Sequence, residues 1–94
     1  MELYDYLSSM SDQEVSALAS TCETTPLYLW RLARGLRRND KGSRPQPRLA
    51  ALLEAATNKN VLRWDCRPDD WHRIWPELIG AEGAPAIAQE AAHG

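Results

Sequence analysis

The sequence contains no phenylalanine, two cysteines and two histidines among 94 residues. Each scarcity closes off a class of chemistry. Two cysteines, Cys22 and Cys66, cannot build the disulfide framework that stabilises small secreted domains. They are expected to be reduced, in a cytoplasmic protein, although sequence leaves open one bridge between them. With His72 they give no metal-ligand spacing of the C-x-x-C kind, and His93 lies near the C-terminal end. No metal or other cofactor is expected. A Cys–His pair would need a cleft and an oxyanion site, for which nothing argues. His72 is expected as a partly exposed helix residue. Asp69 and Asp70 are adjacent, so a helix turns them to different sides and they suit acid–base work poorly. No glycine-rich loop is placed to cradle a phosphate. No signal peptide or membrane-spanning run is visible, so no membrane partner is expected. The reading is of a protein that is not an enzyme.

Charge is present but segregated. The formal net charge is −2, which by itself announces no polyanionic partner. Residues 1–25 hold five acids, Glu2, Asp5, Asp12, Glu14 and Glu23, and no Lys or Arg. Residues 31–48 hold seven cations, Arg31, Arg34, Arg37, Arg38, Lys41, Arg44 and Arg48, against the single acid Asp40. Such a block creates a local positive field that the overall charge hides.

Apolar spacing organises the rest. Leu3, Leu7 and Met10 mark a short amphipathic helix. "SDQE" at Ser11–Glu14 is a capping box, and Val15, Leu18, Ala19 and Cys22 then repeat at helical spacing. Thr25 followed by Pro26 is a hydroxyl cap and a first-turn proline, opening a third helix over 26–34. Gly35 suits the left-handed residue that ends it. "LRRNDKGSRPQP" reads as a polar loop or frayed extension. Pro47 opens a fourth helix with Leu49, Leu52, Leu53 and Ala56 on one face, ended by Asn58 or Asn60 in turn geometry. "VLRWDC" is an extended piece or a bend, with a strand at 61–64 left open. Asp69 caps a helical turn carrying Trp71, Ile74 and Trp75, which stops at Pro76. Arg67 and Asp69 pair or cap locally. After Ile79 the residues are small and bury little, so 80–94 reads as a weakly ordered, flexible tail.

The expected fold is all-α: a compact domain of about four to five helices over 1–79, with a short aromatic C-terminal segment. The second and third helices, joined by a short polar turn, have helix-turn-helix spacing. Ala19 supplies the small residue where the helices cross. The third helix buries Leu29, Leu32 and Ala33. At 100° per residue, Leu27, Trp30, Arg31 and Arg34 share an arc of roughly 100° on the opposite side, the arc a recognition helix turns to the major groove. Arg31 is the best candidate for base readout, its guanidinium matching guanine O6 and N7. Leu27 and Trp30 offer apolar contact to thymine methyls. Thr24, Thr25 and the helix N-terminus suit phosphate. Arg34, Arg37, Arg38, Lys41 and Arg44 form the phosphate-positioning set. Trp30 has rival placements: against the basic loop, against the fourth helix, or in a protein interface. Trp64, Trp71 and Trp75 either pack the C-terminal segment onto the first and fourth helices, or form with Ile74 and Leu78 a dimer seam.

Several strings together resemble the YdaS/Cro-like family of phage and prophage helix-turn-helix regulators. These are the "L–YL" opening at Leu3–Leu7, "EVSALA", "TTPLYLWRLARG", "LAALLEAATN" and "VLRWDCRPDDWHRIWPEL", and they span residues 1–79. The resemblance implies a small repressor of bacterial cytoplasm and nucleoid, acting as a homodimer on an inverted-repeat operator in double-stranded DNA. It also implies, as an alternative, an antitoxin or adaptor whose Leu27/Trp30 face binds a protein partner. Two positions depart from the family pattern. Glu23 stands where glycine is usual, which predicts a strained or reshaped turn with a negative charge near phosphates. Cys66 stands where leucine is usual, a tolerable swap for a small apolar residue.

Overall fold

Each long helix starts where the local chemistry dictates. The computed structural model describes residues 1–87. It contains α1 (Leu3–Ser8), α2 (Asp12–Thr21), α3 (Pro26–Arg37), α4 (Pro47–Ala56), α5 (Arg63–Cys66) and α6 (Trp71–Ile74), with 3-10 turns at Lys41–Ser43 and Pro76–Leu78. The Glu14 N–H donates to Ser11 Oγ at 3.1 Å, and the Ser11 N–H donates to Glu14 Oε1 at 2.8 Å. This is the reciprocal capping box. Thr25 Oγ1 accepts from the Tyr28 N–H at 3.2 Å, and Pro26 opens α3. No strand occurs among the described residues, and segment 61–66 ends as the single helical turn of α5.

The helices stop in a shared way that sequence anticipated only in part. α2, α3 and α4 are each followed by a left-handed residue: Glu23 (φ 61°), Asn39 (φ 59°) and Asn58 (φ 59°). The next N–H reaches back across the last turn. Thr24 donates to Ala19 O at 2.9 Å, Asp40 to Gly35 O at 2.8 Å, and Lys59 to Glu54 O at 2.9 Å. These are Schellman closures built without glycine. Asparagine tolerates that backbone, whereas glutamate does so at a cost of about 1–2 kcal/mol. Lys59 also has positive φ, 67°.

Gly35 does not end α3. It lies inside the helix, buried, with three residues of helical chain before Asn39 turns it. Its role is close approach: a Cβ at this position would lie 2.3 Å from Ser43 Cβ. The missing side chain lets the Lys41–Ser43 turn lie directly on the helix. Part of "LRRNDKGSRPQP" is therefore helix extension and part an ordered turn. The Asp40 carboxylate accepts from the Gly42 N–H (3.0 Å) and Ser43 Oγ (3.1 Å).

Leu3 and Leu7, Val15, Leu18 and Ala19, Leu29, Leu32 and Ala33, and Ala50 and Leu53 bring α1 to α4 into one core. Val61, Cys22 and Cys66 complete it. Each fully buried leucine contributes about 1.5–3 kcal/mol. α4 is rotated from its expected face. Ala50, Leu53 and Thr57 point inward, Leu49 and Leu52 are half-buried, and Ala56 is exposed. Thr57 is a buried hydroxyl with its bonds satisfied: Oγ1 donates to Leu53 O at 2.7 Å and accepts from the Val61 N–H at 3.1 Å.

The C-terminal segment is held by aromatic contact and two arginines. Trp71 is buried, with Trp64 meeting it edge-to-face at 5.6 Å and the His72 ring at 5.7 Å. Trp75 packs on the core, with the Arg63 guanidinium 5.3 Å above its ring. Arg63 also pairs with Glu54 of α4 at 3.1 Å. Arg67 grips Asp70 with two bonds, of 3.0 and 2.8 Å, and donates to Pro45 O at 2.8 Å. The expected Arg67–Asp69 pair is thus replaced: Asp69 faces Arg44 across the chain, and Asp70 precedes α6. Turns lie at Ile79–Gly80 and Glu82–Gly83, with Gly80 and Gly83 left-handed (φ 82° and 83°), and Ile87 returns to a cleft beside Trp71 and His72. Residues 88–94, including His93, lie outside the described residues. No helix among the described residues is long and apolar enough to cross a membrane.

Candidate nucleic-acid interface

α2 ends at Thr21, the chain turns sharply through Glu23 and Thr24, and α3 begins at Pro26. Burial of Leu29, Leu32 and Ala33 then decides what α3 presents outward. Leu27 is 77% exposed, and Arg31, Arg34 and Arg38 are exposed. The four recur at i, i+4, i+7 and i+11, which places them in a stripe along one side of the helix. Arg38 keeps helical backbone at the cap, so it continues the stripe.

Trp30 is not part of that stripe. It is half-buried against the core, and its ring meets Tyr4 of α1 edge-to-face at 5.6 Å. The Arg34 guanidinium lies 5.8 Å above it. None of the three rival placements describes this contact: the partner is the first helix. The physical reason is that Trp30 lies at the edge of the outward arc nearest α1, and a large ring reaches the neighbouring helix sooner than it reaches solvent.

The basic block divides. Arg37 turns to α1, its guanidinium 4.3 Å above the Tyr4 ring and 3.6 Å from both Glu2 and Asp5. The acids of the N-terminal segment neutralise it. Arg44 has only 5% of its side chain exposed. It donates to Asp69 Oδ2 at 3.0 and 3.2 Å and to Asn39 Oδ1 at 2.8 Å. Both were expected at phosphates; Arg44 is committed inside the fold, whereas Arg37 leans on α1 with half of its side chain still in solvent. Arg38 lies 3.7 Å from Asp40 but is well exposed. Arg48 pairs with Glu23 at 3.0 Å in solvent. Arg31, Arg34 and Lys41 make no ion pair among the described residues. The outward cations along and just beyond α3 are therefore Arg31, Arg34, Arg38 and Lys41, with Leu27 at the N-terminal end, Arg37 half exposed toward α1 and Arg48 exposed beside Glu23. No protein-family model matches the chain, and no curated protein matches it.

The α2–α3 turn borders a cleft of about 270 Å³ lined by Cys22, Glu23, Thr24, Tyr28, Arg48 and Leu49 among others. Thr24 is half-buried at its wall, while the Thr25 hydroxyl is exposed and occupied as the α3 cap. Sequence reasoning passed over Tyr28 and Arg48. Tyr28 is 39% exposed on α3, a position the helical wheel could have shown. The Glu23–Arg48 pair joins residues 25 apart, and no local signal marks it.

The remaining candidates are structural in geometry. Trp64, Ile74 and Trp75 are half-buried and Trp71 fully so, the arrangement of a segment packed onto its own chain. Cys22 and Cys66 are free and buried. Burial, reinforced by the Asp65 and Glu54 carboxylates, pushes the Cys66 thiol up to about 12, and burial raises Cys22. Neither is a thiolate nucleophile at neutral pH.

Proposed function

We propose that the chain is a sequence-specific regulator that binds double-stranded DNA, a helix-turn-helix repressor of the phage and prophage type that its motifs resemble. The observation carrying this is the exposed stripe of Leu27, Arg31, Arg34 and Arg38 along α3, continued by Lys41, with Asp40 beside Arg38 as the one acid between them. α3 lies in the major groove as the recognition helix. Arg31 forks onto guanine O6 and N7, and Leu27 meets a thymine methyl. Arg34, Arg38 and Lys41 set the register on phosphates. The α2–α3 turn, with Thr24, Thr25 and the α3 N-terminus, lies against the backbone.

A homodimer on an inverted repeat places two such helices about one DNA turn apart, roughly 34 Å. Occupied promoters exclude polymerase, and no chemistry is needed. The setting is the bacterial cytoplasm. The alternative, an antitoxin or adaptor that docks a protein on an apolar α3 face, keeps Leu27 and Tyr28 but loses Trp30, whose ring is packed on Tyr4.

Selection of bound duplexes from a random pool tests the proposal, followed by mobility-shift titration of Arg31→Ala. A palindromic consensus is expected. Arg31→Ala should lose about 1–3 kcal/mol of discrimination between that consensus and random DNA, with the fold intact. Unchanged discrimination removes Arg31 from base readout. Absence of enrichment, with any partner binding insensitive to salt, favours the protein-docking alternative.

A further inference from the structure

The Glu23–Arg48 ion pair sits where electrostatics would not put it. Glu23 directly follows the C-terminal end of α2, where unsatisfied carbonyls already present negative charge. Arg48 is the second residue of α4, where the first N–H groups present positive charge. Each side chain therefore occupies the helix end of its own sign. Glu23 also holds left-handed backbone, φ 61°, which disfavours any residue with a side chain of this size. Both side chains are mostly in solvent, 61% and 71% exposed, so their attraction is weak and screened. The left-handed backbone at Glu23 closes α2 as that at Asn39 and Asn58 closes α3 and α4, so what sets Glu23 apart is a carboxylate at the turn, held to an exposed arginine.

Glu23 stands two residues before Thr25, the cap of the α3 N-terminus, and its carboxylate is held by Arg48 at 3.0 Å. Glu23, Arg48, Thr24 and Tyr28 line one cleft beside that N-terminus. On the DNA-binding reading this turn faces the backbone, so a carboxylate here competes with phosphate for Arg48.

We infer that Glu23 is a specificity-determining residue, a built-in phosphate competitor that suppresses binding to non-cognate DNA. This rests on the DNA-binding reading above. In the free protein the carboxylate occupies Arg48. On random DNA, where attraction is almost wholly cation to phosphate, Glu23 cancels one cation at the edge of the interface. On a cognate site, base contacts from α3 seat the backbone against the turn, and Arg48 exchanges the carboxylate for a phosphate while Glu23 swings into solvent. A repulsive element that weighs more on the wrong partner raises discrimination without any new attractive contact.

The test is fluorescence anisotropy over about 50–200 mM salt, on a random-sequence duplex and on the selected consensus. The proteins are wild type, Glu23→Gln, Arg48→Gln and the double variant. Glu23→Gln keeps the backbone and removes the charge. It should tighten random-duplex binding by roughly eightfold at about 100 mM salt and steepen the logarithmic salt slope by about 0.9, the increment for one freed cation. The consensus should tighten by less than about threefold, so the specificity ratio falls. Adding Arg48→Gln should abolish the gain on random DNA. A purely structural pair would change the melting temperature and leave the slope alone. An unchanged slope in Glu23→Gln, or equal tightening on both duplexes, overturns the role of Glu23. Wild type that binds neither duplex with a salt dependence overturns the DNA reading itself, and this inference with it.

Discussion

Replacing Gly35 by alanine inverts a general expectation. In an open helix interior the change stabilises by about 1 kcal/mol, because alanine loses less backbone entropy. In α3 the new Cβ lies 2.3 Å from Ser43 Cβ and 3.0 Å from Ser43 Oγ, while ordinary contact begins near 3.4 Å. Helix and turn must part by about 1 Å. The turn is poorly placed to yield. Asp40 holds Gly42 and Ser43 through three bonds, each 3.0–3.1 Å, and the next residue, Arg44, is fixed to Asp69. Forcing a methyl group into such a contact costs about 1–3 kcal/mol. After the helix gain, Gly35→Ala should lose about 1 kcal/mol and lower Tm by about 4–8 °C. The assay is urea unfolding followed by tryptophan fluorescence, with thermal melts by circular dichroism. Ser43→Gly removes the struck atom, so in the Gly35→Ala background it should cost less than in wild type, or restore stability outright. The two single variants and the double close a cycle whose coupling term reads the contact directly. Gly35→Ala at or above wild-type stability, or a coupling term near zero, would refute the close-approach argument.

Arg44→Ala should destabilise by about 2 kcal/mol in urea, since a nearly buried guanidinium and its charged hydrogen bonds are lost, and should leave the DNA salt slope unchanged. Arg38→Ala is its counterpart: stability within about 0.5 kcal/mol of wild type, and a slope shallower by about 0.9. The third prediction concerns acid. The Arg67 fork holds the Asp70 carboxyl below the ordinary carboxylate range, more than burial raises it. A group with a lowered folded value adds stability that is present above its unfolded value of about 3.9 and lost as pH falls through the folded one. Wild type should therefore exceed Asp70→Asn in urea midpoint at about pH 6, and the gap should narrow as pH falls below the unfolded value of about 3.9. A gap independent of pH would mean that packing, not charge, sets the difference.

What was legible in the sequence was whatever depends on near neighbours along the chain. Ser11 with Glu14 and Thr25 with Pro26 specify helix starts through bonds spanning three residues, and both stand as read. The apolar repeats of α2 and α3 identified their buried faces. Helix ends were harder. Gly35 looked like a terminator because glycine is the commonest left-handed residue, yet a glycine also serves where two backbones touch, and only the position of Ser43 distinguishes the two. α4 misled for a related reason. Leu49, Leu52, Leu53 and Ala56 make an acceptable stripe, but Ala50 fits where the helices approach closely and Thr57 has internal partners for its hydroxyl. Both facts depend on tertiary placement.

The candidate interface shows the same limit in charge. A run of cations along a chain says how much positive charge is near, not where it points. Arg37 is drawn to α1 because Glu2, Asp5 and the Tyr4 ring converge there. Arg44 is drawn inward because Asp69 waits 25 residues away. Neither partner lies in the basic segment. The acid-rich N-terminal segment, read from sequence as an asymmetry of charge, thus draws Arg37 toward α1 and offsets part of its charge, although half of the side chain stays in solvent. Tyr4 likewise draws Trp30 toward α1. What remains outward along α3 is narrower than the sequence suggested: Leu27 and Arg31 one turn apart, which the proposed function assigns to bases, and Arg34, Arg38 and Lys41, which it assigns to phosphates. Such a stripe presents its side chains at the spacing of the helix itself, because the burial of Leu29, Leu32 and Ala33 fixes which side of α3 faces out.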